Sequence, residues 1–188
     1  MVDKWDTHFD SFADQNIEHL LDAVKNGDSY QSIEKLFSQA FIDKRNYRAV
    51  SVTVPENANE NDLVKTATEY LSTPYHYGGD SKSGVDCSGL MCLVFETEGI
   101  DLPRKAELQF LVGTYIPTIN KLRIGDLVFF ATEFGQKATH VGLYVGEKKM
   151  IHASSCFGQV LCVSLDRSYY KNRFLGGRRI INRIREYN

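Results

Sequence analysis

Residues 84–99 read GVDCSGLMCLVFETEG, and they predict the central element of the fold. From Asp86 to Gly99 the pattern predicts a helix that is apolar on most sides, which is typical of a central, buried helix. The preceding loop, 75–84, is rich in glycine and serine, so Cys87 falls at the start of the helix. Backbone N–H groups at a helix N-terminus lack partners within the helix and favour an anion. The position therefore predicts a cysteine with a lowered pKa, a candidate nucleophile.

After this helix the hydrophobic pattern changes to a period of two residues, which is typical of strands. The strands are predicted over five segments: 126–131, 139–145, 150–153, 160–165 and 175–181. Another helix is predicted before the cysteine helix, from residue 63 to near Pro74, where the proline ends it. Helices followed by a run of antiparallel strands predict an α+β fold rather than a parallel sheet.

The first third of the chain has a pattern of its own. Apolar residues at helical spacing predict one helix over 17–24 and a second over 28–41. Alternating residues predict a strand over 49–54, which Pro55 stops.

A polar, turn-like segment, 56–61, is the best candidate for a domain boundary. It predicts a mostly helical N-terminal segment, 1–60, for which the sequence indicates no role. The second domain is predicted over 61–188 and contains the cysteine helix and all five predicted strands.

The composition is that of an ordinary globular protein, with 188 residues, 43% of them hydrophobic and 24% charged. No run of about 18 apolar residues is present, so no membrane-spanning helix is expected. A net charge of −2 gives no reason to expect nucleic acid as a partner. The residues that follow Met1 include no basic start and no apolar stretch, so no secretory signal is visible.

The four cysteines are too few and too irregularly spaced for a disulfide framework. No CxxC pair is present, which argues against a zinc ribbon. Cys92, Cys156 and Cys162 are expected to be buried free thiols. Cys156 and Cys162 flank a predicted turn, and a bond between them stays open.

A cysteine nucleophile needs a base that can return the proton to the leaving group, and histidine suits this task near neutral pH. His140 and His152 lie on two consecutive predicted strands. We expect Cys87 to be the nucleophile, His140 the base, and His152 the residue that orients the base and stabilises its imidazolium form. Zinc binding by the same three side chains is less favoured, because the helix terminus already stabilises a thiolate. We therefore expect no metal and no cofactor.

The register of the hairpin decides whether the two histidines meet. A three-residue loop over 146–148 pairs Val145 with Lys149 and puts His152 diagonal to His140 on the same face, within hydrogen-bonding reach. A two-residue loop would put the histidines on opposite faces. The catalytic interpretation supposes the three-residue loop.

Six motifs, in this order, resemble those of the NlpC-type cell-wall peptidases, which belong to a papain-like superfamily. The motifs are TPYHYGG (73–79), GVDCSGL (84–90), LPR (102–104), GDLVFF (125–130), HVGLYVG (140–146) and IHAS (151–154). The resemblance extends over about residues 62–182. It implies a papain-like fold, with the cysteine helix packed on a small antiparallel sheet.

The same resemblance implies a cysteine endopeptidase that hydrolyses an amide bond in peptidoglycan stem peptides, typically between D-glutamate and the diamino acid that follows. Position by position, Cys87 matches the nucleophile, His140 the base and His152 the orienting residue. The expected partners are stem peptides or muropeptides, and the oligomeric state stays open.

Members of this family often bind the free amino terminus of the stem peptide, and the matching positions are Tyr75, Asp86 and Ser88. A carboxylate at Asp86 suits an ammonium group, and capping of the helix is an equally open role for it. For Tyr75, a place at the oxyanion site or in the packing also stays open. Arg104 fits the family motif, and its role in tying down a loop is left open.

Alternatives to a wall peptidase are a papain-like amidase or acyltransferase acting on another amide, a thioester or a lipid ester. A non-catalytic domain that binds wall fragments belongs to a different class of function. The resemblance favours the cell envelope, periplasmic or secreted, whereas the lack of a visible signal sequence leaves a cytoplasmic origin open.

Overall fold

A computed structural model of the chain describes residues 52–132 and 138–182. The helices expected over 17–24 and 28–41 lie outside these residues, and the division into domains at residue 60 stays a prediction. The prediction of a strand over 49–54 is wrong for residues 52–54, the part that the structure describes. Residues 52–54 form no strand, and Val52 and Val54 instead pack, partly buried, against the core.

Helix α1, Glu60–Glu69, confirms the helix predicted before Pro74. The side chain of Asn59 caps it by accepting a hydrogen bond from the backbone N–H two residues further on, at 3.0 Å. Leu63 and Ala67, one turn apart, form its buried side. The helix ends well before the proline.

Helix α2, Cys87–Glu96, is the buried cysteine helix. It follows a short hairpin of β1, Asp80–Ser81, and β2, Gly84–Val85. Six of its ten residues are buried: Ser88, Gly89, Leu90, Met91, Val94 and Phe95. A Cβ atom added at Gly89 would collide with the carbonyl oxygen of Gly79, so the close approach of the preceding loop requires glycine there.

All five predicted strands are present in one six-stranded sheet, with ends shifted by one or two residues. The strands of this sheet are β3, Thr114–Ile116; β4, Leu127–Phe130; β5, His140–Gly146; β6, Lys149–Ser154; β7, Gln159–Ser164; and β8, Phe174–Arg179. Their order is β3-β8-β4-β5-β6-β7, and all neighbours are antiparallel. The sequence did not indicate β3, because three residues are too few to show a period of two.

Two four-residue helices were also not predicted, because four residues are too few to show a helical period. They are α3, Ala106–Gln109, and α4, Ser168–Lys171. A short 3₁₀ helix, Ile119–Lys121, precedes β4.

The sheet has apolar groups on both faces. On one face, α2 packs against β5 and β6, and Val141 and Ile151 belong to the core cluster beneath it. On the other face, Phe130, Met150 and Tyr170 belong to a second cluster. Because side chains alternate along a strand, neighbouring residues of β5 and β6 contribute to opposite clusters.

This architecture confirms the α+β, papain-like prediction, with a cysteine-bearing helix packed on an antiparallel sheet. Among residues 52–132 and 138–182, no helix has the length and apolar character needed to cross a membrane.

A buried ion pair fixes β4 against β8. Asp126, 1% exposed, precedes β4 and accepts hydrogen bonds from Nε of Arg179 at 2.9 Å and from Nη2 at 2.8 Å. The backbone N–H of Arg123 donates to the same carboxylate at 2.7 Å. Loss of one partner would leave the other charge buried without compensation.

We expect Asp126→Ala to lower the free energy of unfolding by about 3 kcal/mol, the usual effect of breaking a buried ion pair. Asp166→Ala is the matched control, since its half-exposed carboxylate pairs with Lys148 and Lys171 in solvent. This control should leave the free energy of unfolding unchanged within error. Urea unfolding followed by circular dichroism measures the free energy of unfolding of both variants. An equal decrease in the two variants would contradict the structural importance of the buried pair.

Candidate active site

Strands β5 and β6 are joined by a two-residue turn, 147–148, and not by the three-residue loop. Both turn residues have positive φ values, 50° and 52°, as a type I′ turn requires. Gly146 pairs with Lys149, and the register shifts between Tyr144 and Gly146. The prediction that Val145 pairs with Lys149 is therefore wrong, because Val145 forms a bulge.

The bulge compensates for the shorter turn, which by itself would have placed the two histidines on opposite faces of the sheet. Beyond it, Leu143 pairs with Ile151, which is the register that the three-residue loop implies. His140 and His152 consequently lie on the same face, as predicted. Between them Gly142 leaves room, since a Cβ atom added there would lie 3.1 Å from the Cβ of His152.

The two histidines are in direct contact. Nε2 of His140 lies 2.7 Å from Nδ1 of His152, and the ring planes are nearly perpendicular, at 89°. Burial lowers the pKa of His140 to about 4. Burial, with the neighbouring His140, lowers the pKa of His152 to about 3. Both imidazoles are therefore neutral near pH 7.

Tyr170 extends this contact, and sequence reasoning missed it. Its hydroxyl lies 3.2 Å from Nε2 of His152, and its ring packs edge-on against Phe130, with centroids 5.3 Å apart. It lies on α4, a helix too short for its periodicity to signal which side is buried. The Tyr169-Tyr170 pair in the sequence does not indicate which ring turns inward.

Cys87 lies in the first turn of α2 and keeps some exposure to solvent. Its thiol interacts with the backbone of Val141, the residue after His140, so the sulfur lies at the start of β5. Burial raises the pKa of the thiol, and the charge of Asp86 raises it further. Hydrogen bonds from the backbone of Val141 and Ser88 act in the opposite direction but do not reverse the shift. The expected lowering of this pKa is therefore wrong for the resting protein.

The carboxylate of Asp86 is fully hydrogen-bonded within the protein. Oδ1 accepts from the N–H of Gly89 at 2.7 Å, from Nη1 of Arg104 at 2.8 Å and from Oγ of Ser88 at 3.3 Å. Oδ2 accepts from the N–H of Gly78 at 2.9 Å and from Nη2 of Arg104 at 2.7 Å. Although burial raises it, the hydrogen bonds from Arg104 and Gly89 hold the pKa of Asp86 below its usual value. The structure thus places Asp86 as the cap of α2.

Arg104 holds the loop before α2 as well as the carboxylate. Its Nη2 donates to the carbonyl oxygen of Gly79 at 3.1 Å, and its Nη1 donates to Oγ of Ser88 at 3.0 Å. The loop-tying role left open for Arg104 is therefore present in the structure.

Tyr75 and Ser88, the other two expected binding residues, lie near Cys87 and Asp86. Burial raises the pKa of Tyr75, and nearby Cys87 and Asp86 raise it further, so its phenol lies close to both groups. Its backbone N–H donates to the carbonyl oxygen of Gly158 at 2.8 Å, which holds the tyrosine beside the turn before β7. Ser88 is buried beneath Arg104.

All four cysteines are free thiols. Cys92 is partly buried, but Cys156 and Cys162 are exposed, so the prediction that these two are buried is wrong. Cys156 lies in the turn after β6, and Cys162 lies on the edge strand β7, where one face meets solvent. No group of histidine, cysteine, aspartate and glutamate in the described part of the chain is arranged to hold a metal ion.

Comparison with known proteins identifies the family. Residues 72–179 match the NlpC/P60 family. The chain is 34% identical over 161 residues to the gamma-D-glutamyl-L-lysine dipeptidyl-peptidase of Bacillus subtilis 168, covering 85% of this chain and 53% of the relative. It is 43% identical over 134 residues to the Escherichia coli K12 protein named "Probable endopeptidase NlpC", covering 67% and 86%. The chain therefore belongs to the NlpC/P60 family.

The solved structures agree with this result. A crystal structure of an NlpC/P60 family protein from Bacillus cereus ATCC 10987 matches 69% of this chain and 42% of that chain, with a TM-score of 0.63 and 32% identity. The resemblance drawn from the six motifs is thereby confirmed, and both relatives named above bear the names of peptidases, one of them as a probable endopeptidase. The chain spans about half the length of the B. subtilis relative.

The lowered pKa values of the two histidines predict that stability falls on acidification. The unfolded histidines bind protons below pH 6.5, but the folded ones do so only at about 4 and about 3. Between pH 6.5 and 4 the unfolded state therefore binds more protons, and each histidine lowers the free energy of unfolding by up to about 1.4 kcal/mol per pH unit.

Urea unfolding between pH 6.5 and 4.5 tests this prediction. His152→Asn removes one of the two buried titrating groups, so its stability should depend less steeply on pH than that of the unmodified chain. His76→Asn, which removes an exposed histidine, is the matched control and should retain the full dependence. A His152→Asn curve parallel to that of the unmodified chain would contradict the buried, neutral state.

Proposed function

We propose that this chain is a cysteine endopeptidase that cleaves peptidoglycan stem peptides between D-γ-glutamate and the following diamino acid. Two observations support the proposal: Cys87, at the N-terminus of α2, interacts with the backbone of Val141, the residue after His140, and His140 contacts His152 at 2.7 Å. The B. subtilis relative is named for a γ-D-glutamyl-L-lysine substrate. We propose action in the cell envelope, where the polymer lies, on stem peptides or muropeptides.

The resting site holds a neutral thiol beside a neutral imidazole. Burial disfavours both the thiolate of Cys87 and the imidazolium of His140, so neither charge forms alone. Transfer of the thiol proton to His140 creates the two charges together, and each then stabilises the other. We infer that the proton moves as the sulfur attacks, with His140 as a general base.

The chemistry then follows the course of covalent catalysis. The sulfur of Cys87 forms a bond to the amide carbon, and the carbonyl electrons move to oxygen. When this tetrahedral intermediate collapses, the carbon–nitrogen bond breaks, and His140 returns the proton to the departing amine. Water, activated by His140, next attacks the thioester, releases the carboxylate and restores the thiol.

The first turn of α2 supplies donors for the tetrahedral intermediate. The N–H of Gly89 is used by the Asp86 cap, and that of Leu90 bonds to the carbonyl oxygen of Asp86. The backbone groups of Cys87 and Ser88 interact with the sulfur instead. We propose that they stabilise the oxyanion that forms next to the sulfur, with the Tyr75 phenol as a further donor.

We expect Cys87→Ala to abolish cleavage of a defined muropeptide, because the proposed thioester forms on the sulfur that this substitution removes. Cys162→Ala is the matched control, since it removes an exposed thiol on β7 and should cleave as fast as the unmodified chain. Mass spectrometry of the products, with a thermal melt of each variant, provides the measurement. A Cys87→Ala variant that still cleaves would contradict the nucleophile, and an unmodified chain that binds muropeptides without cleaving them would favour the non-catalytic alternative.

Substrate recognition is the second part of the proposal. We propose that Tyr75, Asp86 and Ser88 lie at the subsite for the free amino terminus of the stem peptide, because all three are grouped beside Cys87. Asp86 stays anionic, since its pKa is lowered. An ammonium group would have to displace one of the donors that already occupy its oxygens, and the Arg104 side chain, 41% exposed, is one donor that solvent reaches.

One observation favours a second candidate function. The guanidinium of Arg104 neutralises Asp86 and occupies both of its oxygens, which suits a substrate without a free amine. An amidase or acyltransferase with the same cysteine and histidines would have this property. The two candidates differ in whether the charge of Asp86 selects the substrate.

Asp86→Asn separates the two candidates, because asparagine retains a cap for α2 but removes the charge. We expect the unmodified chain to prefer a stem peptide with a free amino terminus over its N-acetylated form, and we expect Asp86→Asn to lose that preference. The measurement is the ratio of kcat/KM for the two peptides. If both peptides lose activity equally, Asp86 acts only through the fold, and the amidase or acyltransferase gains support.

A further inference from the structure

We infer that Tyr170 is a positioning residue, which accepts a hydrogen bond from His152 and so keeps His140 in the protonation form that can act as a base. This inference rests on the function proposed above. It assigns a role to a residue outside the expected triad of cysteine and two histidines.

Both ring nitrogens of His152 have a partner. Nδ1 lies 2.7 Å from Nε2 of His140, and Nε2 lies 3.2 Å from the hydroxyl of Tyr170. His152 is 2% exposed and Tyr170 is 5% exposed. Water therefore does not readily replace the contact between these two side chains, and with the partly buried His140 they form one chain of hydrogen bonds.

A neutral imidazole carries one N–H, so this chain has two possible arrangements. In the first, His140 donates from Nε2 to His152, and His152 donates from Nε2 to the oxygen of Tyr170. In the second, Tyr170 donates to Nε2 of His152, and His152 donates from Nδ1 to Nε2 of His140. The proton of His140 then lies on its own Nδ1.

Only the first arrangement makes His140 a base. There its Nδ1 has a free lone pair that can take the proton of Cys87, whereas in the second arrangement Nδ1 is already protonated. The first arrangement requires an acceptor at Nε2 of His152, and the oxygen of Tyr170 is placed to be that acceptor. The same direction of donation stabilises the imidazolium of His140 once it forms.

The surroundings of Tyr170 keep its hydroxyl neutral. Burial raises its pKa, and nearby Tyr169 and Cys156 raise it, while Arg167 lowers it. Toward the sheet, the titratable group that it meets is His152, which in turn faces His140. The phenol therefore neither takes the proton of His140 nor adds a charge beside it near pH 7.

Tyr170→Phe tests the role, since the ring and its packing against Phe130 are retained while the acceptor is lost. We expect kcat for muropeptide cleavage to fall about tenfold with KM unchanged, the effect of one lost hydrogen bond in the transition state. The acid limb of the pH profile should move to lower pH, because His140 without this support is protonated only at lower pH. Tyr169→Phe is the matched control, as it removes a partly exposed hydroxyl one residue away.

The control should retain kcat, the pH profile and the melting temperature, whereas Tyr170→Phe should stay folded at the assay temperature but melt somewhat lower, because one buried hydrogen bond is lost. A Tyr170→Phe variant with unchanged kcat and pH profile would overturn the inference. So would an equal loss in Tyr169→Phe, because the effect would then belong to the packing of α4.

A second measurement does not need peptidase activity. In Cys87→Ala protein with ¹⁵N-labelled histidine, NMR reports which ring nitrogen of His152 carries the proton. We expect Nε2 to carry it, and we expect Tyr170→Phe to shift the proton toward Nδ1, because a buried N–H without an acceptor is strongly disfavoured. A proton on Nδ1 in the presence of Tyr170 would overturn the inference. If no muropeptide is cleaved, the proposed function fails, but this result still decides the role of Tyr170.

Discussion

The pairing of β5 with β6 is the constraint on which the candidate site depends, because a shift of one residue moves every side chain of a strand to the other face. The type I′ turn at 147–148 and the bulge at Val145 each shift the pairing by one residue. The two shifts cancel, so His140 and His152 remain on the same face of the sheet. Gly142 then allows the backbones to approach closely enough for the rings to meet. The site therefore depends on two irregularities that compensate each other.

Burial gives the site its electrostatic character. It raises the pKa of the Cys87 thiol and lowers the pKa of both histidines, so the resting groups are all uncharged. A site of this kind does not hold a preformed thiolate. The reactivity proposed for it would depend on hydrogen bonds that direct a proton, which makes the orientation of each donor as important as the identity of the side chain.

The polar groups at the start of α2 are already engaged within the protein. Asp86 caps the helix and binds Arg104, which fixes the loop before the cysteine. This arrangement holds Cys87 in place, and it also leaves the carboxylate with no vacant oxygen among its described neighbours. In the proposed function, both the rigid position of Cys87 and the recognition of an amine would depend on the Asp86 side chain, and this competition is what separates the two candidate functions.

Local signals in the sequence determined much of this protein. The apolar run after Asp86 predicted α2, the period of two predicted five of the six strands of the main sheet, and the motifs around Cys87, His140 and His152 indicated the family. Each of these signals lies within a few consecutive residues. The capping of α2 by Asp86 was recognisable for the same reason.

Tertiary structure alone decided the features that depend on distant residues. Arg104 lies 18 residues from Asp86 and Tyr170 lies 18 from His152, and no periodicity connects either pair. The direction of the Cys87 pKa shift was mispredicted because the helix terminus is visible in sequence, whereas the removal of water by the surrounding sheet is not. Short elements such as β3 and α4 were missed because three or four residues carry no period, so only packing against the rest of the chain defines them.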